Sequence, residues 1–198
     1  MSTENRIEQT DTQSRLLNAA IELLAERELA EFTEADICAR ADVAMKTFAR
    51  YFSSKEALFS DFIRDQIFEL SGDIFNRAEE RHESFSQRLK YAVDGVVESR
   101  RDYGEIERKY YRAGIQQIAC DGGRILQLYG FFDDYFQRWL EQGQAHGEVT
   151  CKFDAAFMAR LCTGCLLDIN QNWMNDPDYP QLQRYAELKI FLPDLVAA

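Results

Sequence analysis

From Gln13 onward the apolar residues Leu16, Leu17, Ala20, Ile21 and Leu24 recur at spacings of three and four, which is the repeat of a helix with one buried stripe. This helix is expected to follow a loose polar arm over residues 1–12 and to end near Glu28. Thr33-Glu34-Ala35-Asp36 has the form of a capping box, in which the Thr33 hydroxyl accepts from a first-turn amide while Asp36 reaches back. A short helix should start there and run to about Ala41. Asp42-Val43-Ala44 leaves room only for a tight turn before a helix over 45–52 that places Phe48 and Phe52 on one face. Ser53-Ser54-Lys55-Glu56 reads as a second capping box, opening a long helix with Leu58, Phe59, Phe62, Ile63, Ile67, Leu70 and Phe75 along it.

Further helices are expected near 84–101, 105–119, 124–146, 154–174 and 181–191, with breaks at Gly122-Gly123, at Gly143 and Gly147, and at Pro177 and Pro180. No alternating run of β-branched residues and no internal repeat interrupts them. The chain is therefore expected to be all-α. Two short helices joined by three residues, the second exposed and basic, form a helix-turn-helix pattern. The expected division is an arm over 1–12, a three-helix head over 13–56 and a larger helical domain over 57–198.

Charge sharpens this picture. The 198 residues carry a formal net charge of -11, yet Ala44 to Lys55 contains three cations and no acid. In a chain that is repelled as a whole by polyanions, an acid-free basic helix face points to local contact with phosphate. Residues 1–56 nevertheless hold seven basic and eleven acidic side chains, so there is no broad basic footprint. Any DNA binding through this helix-turn-helix is expected to be steeply salt-sensitive yet to involve few phosphate contacts per head. With 46% hydrophobic and 13% aromatic residues the chain can bury a core, and no apolar run reaches the length of a membrane span. Its start lacks the regions of a signal peptide, which points to the cytoplasm, and five cysteines, an odd number, read as free thiols.

Three stretches, Arg15 to Leu24, Phe32 to Val43 and Thr47 to Leu58, resemble in order and spacing the N-terminal domain of TetR/AcrR-family transcriptional regulators. The resemblance covers about residues 13–62. It implies a homodimer that binds a roughly palindromic double-stranded DNA operator through two heads, with a C-terminal domain that dimerises and binds a small-molecule effector releasing the DNA. It also implies that the protein represses. Three residues depart from the family pattern: Asp42 stands at the usual turn glycine, Glu28 at the glycine closing the first helix, and Ala49 where a phosphate-contacting tyrosine is common.

The expected DNA-binding residues follow. Lys46 and Thr47 lie in the first turn of the recognition helix, Lys46 suited to a base or phosphate contact and Thr47 to a hydroxyl contact. Tyr51 suits a phosphate or a thymine methyl group, and Arg50 a phosphate or a local ion pair. Thr33 and Lys55 stand at helix N-termini and read as backbone clamps. Thr33 and Ser53 also serve as ordinary caps, and Phe48 and Phe52 as core.

In the C-terminal body, Tyr129, Phe132, Phe136 and Trp139 follow one helical stripe, which Phe131 and Tyr135 widen. The 154–174 helix carries two stripes, Phe157, Leu161 and Cys165 beside Met158, Cys162, Ile169 and Trp173. A helix apolar on two faces needs two partners, and a sister subunit is the economical second one, giving a four-helix dimer contact from the last two long helices. A ligand cavity is the competing use of the same surface. Its candidate residues are Tyr110, Tyr111, Phe132, Phe136, Trp139, Cys162 and Trp173, and the nearby Asp133, Asp134 and Asp168 would suit a cationic or aromatic amphiphile.

Cys162-Thr163-Gly164-Cys165 has the spacing of a redox or metal pair but lies within an apolar helix, and only His82 and His146 are available as further ligands. Packing is its expected role, with thiol sensing through Cys162, Cys165 or Cys120 as the alternative. No phosphate loop, dinucleotide fingerprint or nucleophile elbow is present. Neither an enzyme nor a cofactor is expected. Two other classes compete with the regulator: a small-molecule binding protein with a vestigial head, and a helical enzyme with a hydrophobic site.

Overall fold

The computed structural model describes the backbone of residues 3–198, with side chains from Asp11 onward. In chain order the helices are α1 (Thr3–Glu26), α2 (Glu34–Ala41), α3 (Met45–Tyr51), α4 (Lys55–Gln66), α5 (Gly72–Arg81), α6 (Phe85–Ser99), α7 (Glu105–Cys120), α8 (Gly122–Ala145), α9 (Ala155–Asn175) and α10 (Gln181–Val196). Among the described residues there is no strand, only an isolated antiparallel bridge between Val149 and Ala197.

Several boundaries differ from expectation. α1 already begins at Thr3, through the segment read as an arm; 3–26 contains no glycine or proline to stop a helix once it is nucleated. Residues 1 and 2 of that arm lie outside the described residues. The cap of α4 is Ser54, whose hydroxyl accepts from the Ala57 amide at 3.1 Å, rather than Ser53 reaching toward Glu56. The long helix after it is interrupted by a π-turn, Ile67–Ser71, before continuing as α5. Gly122-Gly123 opens α8 instead of breaking the chain, because the Asp121 carboxylate accepts from the Gly123 and Arg124 amides and caps it. Gly143 lies inside α8, and Gly147, at φ 75°, makes the turn that follows. α10 runs past Pro193 to Val196, where buried Leu192 and Val196 hold its last turn.

The chain forms two compact units. The first comprises the residues through Arg64 together with Gly104–Cys120. Its core is Leu16, Ala20, Leu23 and Leu24 of α1, Ile37 and Cys38 of α2, Phe48 of α3, and Leu58, Phe59 and Ile63 of α4. α7 packs against α1 within this unit. A Cβ at Gly114 of α7 would lie 2.8 Å from the Phe59 carbonyl oxygen and 2.7 Å from Ile63, so only glycine lets α7 approach α4 this closely. Lys109 of α7 also pairs with Glu28 at 2.7 Å.

The second unit comprises Asp65–Tyr103 and Asp121–Ala198. α8 pairs with α9, α5 with α6, and α10 lies on α9 and α6. Phe75 is the centre of its aromatic core: Phe132, Tyr135, Phe136 and Trp139 of α8 surround it at 5.2–5.7 Å, with the Trp139 ring stacked. The second partner of the α8 aromatic stripe is therefore α5 of the same chain. Glu148 accepts from the Phe85 and Ser86 amides at 2.9 and 3.1 Å, closing the start of α6 from far along the sequence.

Candidate nucleic-acid interface

α2, the turn and α3 are built by local chemistry that the sequence announces. The Thr33 hydroxyl accepts from the Asp36 amide at 3.3 Å, and the Asp36 carboxylate accepts from the Thr33 amide at 2.7 Å, which is the reciprocal box. These hydrogen bonds hold the Asp36 carboxyl below its ordinary value. α2 ends on Asp42, in the left-handed region at φ 52°, ψ 51°, with the Val43 amide returning to the Cys38 carbonyl at 2.9 Å. Aspartate tolerates this conformation where most residues would not. Arg15 of α1 secures the turn by donating to the Ala41 and Asp42 carbonyl oxygens at 2.5 and 2.9 Å.

Glu28, the other departure from a family glycine, is extended rather than left-handed. Its amide donates to the Glu31 carboxylate at 2.9 Å and caps a short 3-10 turn, Leu29–Glu31, which takes the place of a glycine C-cap.

Phe48 and Phe52 fix the inner face of α3, 2% and 8% exposed with rings 5.7 Å apart. The opposite face carries Met45, Lys46, Ala49 and Arg50, all exposed, while Thr47 and Tyr51 are half-buried. No acid lies in the first turn of α3. The Arg50 guanidinium lies 4.6 Å from the Tyr51 ring centroid and donates to its hydroxyl at 2.5 Å, so these two expected contacts form one preorganised pair.

The other cations of the first unit are engaged internally. Arg40 bridges Glu26 and Glu22, which raises its own value and lowers that of Glu26. The Lys55 ammonium donates to the Leu29 and Phe32 carbonyl oxygens at 2.6 and 2.5 Å, and its amide donates to Glu34. Lys55 is thus an internal tie across the head, where the sequence suggested an outward clamp; the carbonyls that capture it are visible only once α4 is folded against the 3-10 turn. Lys46 has no partner among the described residues. Exposed Thr33 keeps its hydroxyl on Asp36, donating to the carboxylate at 2.9 Å. Met45, at the start of α3, is 47% exposed, which the sequence does not announce because an apolar residue one turn from Phe48 reads as core until the burial of each face is known.

The expected effector residues fall in both units. Tyr110 and Tyr111 are buried in the first, Tyr110 edge-on to Phe62 at 5.7 Å. Phe132, Phe136 and Trp139 pack around Phe75 in the second, and the Trp139 indole donates to Glu79 at 2.9 Å. Cys162 and Trp173 are buried on α9. Of the three nearby acids, Asp134 and Asp168 are exposed, whereas Asp133 pairs with Arg160 at 2.9 Å and leaves its other oxygen buried without a partner among the described residues. Burial pushes the Cys162 thiol up to about 12, which withholds the thiolate that sensing would need.

Among the described residues, an all-helical chain whose first unit presents a helix-turn-helix and whose second is a larger helical body has the architecture of a DNA-binding regulator. Comparison with known proteins places it more closely. Residues 16–62 match the bacterial regulatory proteins of the tetR family, so they carry that family's helix-turn-helix DNA-binding domain, and the chain has the fold of its transcriptional regulators. The structure is similar to the fatty acid degradation regulator FadR from Bacillus halodurans, at 17% identity over 92% of this chain and 94% of that one, with a TM-score of 0.72. It is also similar to SmeT, the repressor of the Stenotrophomonas maltophilia multidrug efflux pump SmeDEF, at 14% identity over 95% and 93%, with a TM-score of 0.71. Salmonella enterica GusR matches at 22% identity over 93% and 95%, with a TM-score of 0.61. Comparison with curated protein sequences yields no match.

Proposed function

We propose that this protein is a ligand-responsive transcriptional repressor that binds a roughly palindromic operator as a homodimer and is released by a small hydrophobic or aromatic effector. The observation that carries this is the outward face of α3, where Lys46 has no partner among the described residues and no first-turn acid opposes it. Lys46 and Thr47 contact the operator, the Arg50–Tyr51 pair grips phosphate, and Thr33 adds a flanking contact. Lys55 acts indirectly, by holding α4 to the segment before α2.

The homodimer is supported by apolar surface on the second unit. Phe157 and Leu161 of α9 are 55% and 44% exposed, and Ile190, Phe191 and Leu195 of α10 are 50–67% exposed. The dimer face is therefore assigned to α9 and α10, since the α8 stripe is already covered. The effector is proposed to enter among Phe132, Phe136, Trp139, Cys162 and Trp173, the apolar interior of the second unit. One structural relative, SmeT, is known in complex with triclosan, which favours an aromatic ligand. Trp139 and Trp173 are the only tryptophans, so ligand titrations are readable by intrinsic fluorescence.

The test is selection of bound duplexes from a random library by the wild type and by Lys46→Ala, at low and moderate salt. A two-fold symmetric motif that the variant loses is the expected result. If Lys46 meets phosphate, the variant's log-log salt slope falls by about one per head. If it meets a base, the preferred sequence changes. No enrichment by the wild type at either salt would sink the proposal in favour of a ligand-binding protein with a vestigial head.

A further inference from the structure

The outward face of α3 carries exposed apolar side chains beside Lys46, and the following inference rests on the DNA-binding reading above. Among the side chains described, from Asp11 through Arg64, Met45 is the only large apolar one that is exposed, at 47%. Folding does not require it there, because Phe48 and Phe52 already supply the buried face of the same helix. Ala49, one turn on, is also exposed and leaves the space beside Met45 open, and Ala44 precedes it. Residues four apart on a helix are neighbours, so Met45 and Ala49 form one apolar strip flanked by the Lys46 ammonium.

Of the features on a major-groove edge, the thymine C5 methyl group is the one recognised by apolar contact, while the others call for hydrogen-bond donors or acceptors. A thioether offers only a weak acceptor and alanine offers nothing, so this strip is chemically matched to that methyl group. Methionine is unbranched and polarizable, which suits it to close contact with an apolar group of imposed position. We infer that Met45 reads a thymine methyl group in each operator half-site, with Ala44 and Ala49 completing the apolar surface around it. Lys46 then supplies affinity at the same edge, and Met45 supplies part of the sequence preference.

The full chain and its own enriched duplex provide the test. Each thymine of the half-site is replaced singly by deoxyuridine, which deletes only the methyl group. The wild type should lose about fourfold in affinity at one thymine of each half-site, the value of one buried methyl group. Met45→Ala should bind the thymine duplex more weakly and be insensitive to uracil at that position, while Met45→Leu should keep the discrimination. Wild-type affinity unchanged at every replaced thymine would overturn the inference, as would equal losses in the wild type and Met45→Ala. In both cases a symmetric motif abolished by Lys46→Ala leaves the regulator reading standing. Absence of any enriched motif overturns both.

Discussion

At the scale of single residues, the surroundings of a side chain decide its chemistry more than its type does. Lys46 and Lys55 are both lysines in the same basic stretch, yet one is free to meet an anion and the other is consumed by two backbone carbonyls. The cysteines divide in the same way. Cys120 and Cys151 are exposed, Cys165 is half-buried with its thiol pushed up by burial, and Cys162 is buried with its thiol near 12. In a native alkylation time course at pH 8, Cys120 and Cys151 should react first and Cys162 only on unfolding. Rapid native modification of Cys162, read by peptide mass mapping, would contradict its role as a packing residue.

At the scale of elements, α2 depends on its ends. Hydrogen bonds from Thr33 lower the Asp36 carboxyl, and the Arg40 hydrogen bond lowers Glu26. Lowered folded-state values mean that the unfolded chain binds protons more readily, so this contribution is fully present above the ordinary carboxylate range and is lost as pH falls through the lowered values. Melting of the first unit should therefore shift down modestly as pH falls through about 4, where unfolded carboxylates take up protons, because both carboxyl groups are open to solvent, which screens their partners. Thr33→Ala should cost about 1 kcal/mol at neutral pH through the lost cap. It should flatten the acid response only in part, since Asp36 loses the Thr33 hydroxyl but keeps the Thr33 amide, the larger cause of its lowered value; a flattening as complete as that of Asp36→Asn would show that the hydroxyl, not the amide, sets the acid response. In the second unit, Asn170 has a comparable role: its side-chain oxygen accepts from the Tyr185 hydroxyl at 2.7 Å, from Gln181 and from Arg100, tying α9 and α10 to the residue that caps the end of α6.

At the scale of the whole molecule, the proposed palindromic readout requires two heads, and therefore a dimer. The exposed residues of α9 and α10 lie on helices already packed together, so one face can present both. A Phe157→Glu/Ile190→Glu variant should sediment as a monomer and retain its helical circular dichroism, because neither side chain is part of the core. It should bind a single half-site with the wild-type preference but lose high affinity for the full operator. A variant that still sediments as a dimer would move the interface elsewhere.

The head was largely legible in the sequence because its signals are local. The Thr33 box, the three-residue turn with Asp42 left-handed, and the Phe48–Phe52 pair each depend on residues a few positions apart, and all are present as read. Helix positions in the body followed from three-and-four spacing for the same reason, with errors at ends such as Gly122 and Pro193, where a cap or a buried last turn outweighed a breaker residue, and at the π-turn Ile67–Ser71 inside the expected long helix. What the aromatic stripe of α8 packs against could not be read, because periodicity reports that a face is apolar without naming its partner; the partner proved to be Phe75. The sequence by itself determined an all-helical fold with a helix-turn-helix, since helix repeat and capping are written in neighbouring residues. Only the tertiary structure decided that α7 joins the first unit through Gly114, that Lys55 turns inward and that Met45 stays outside, because each depends on which distant backbone or side chain arrives next to it.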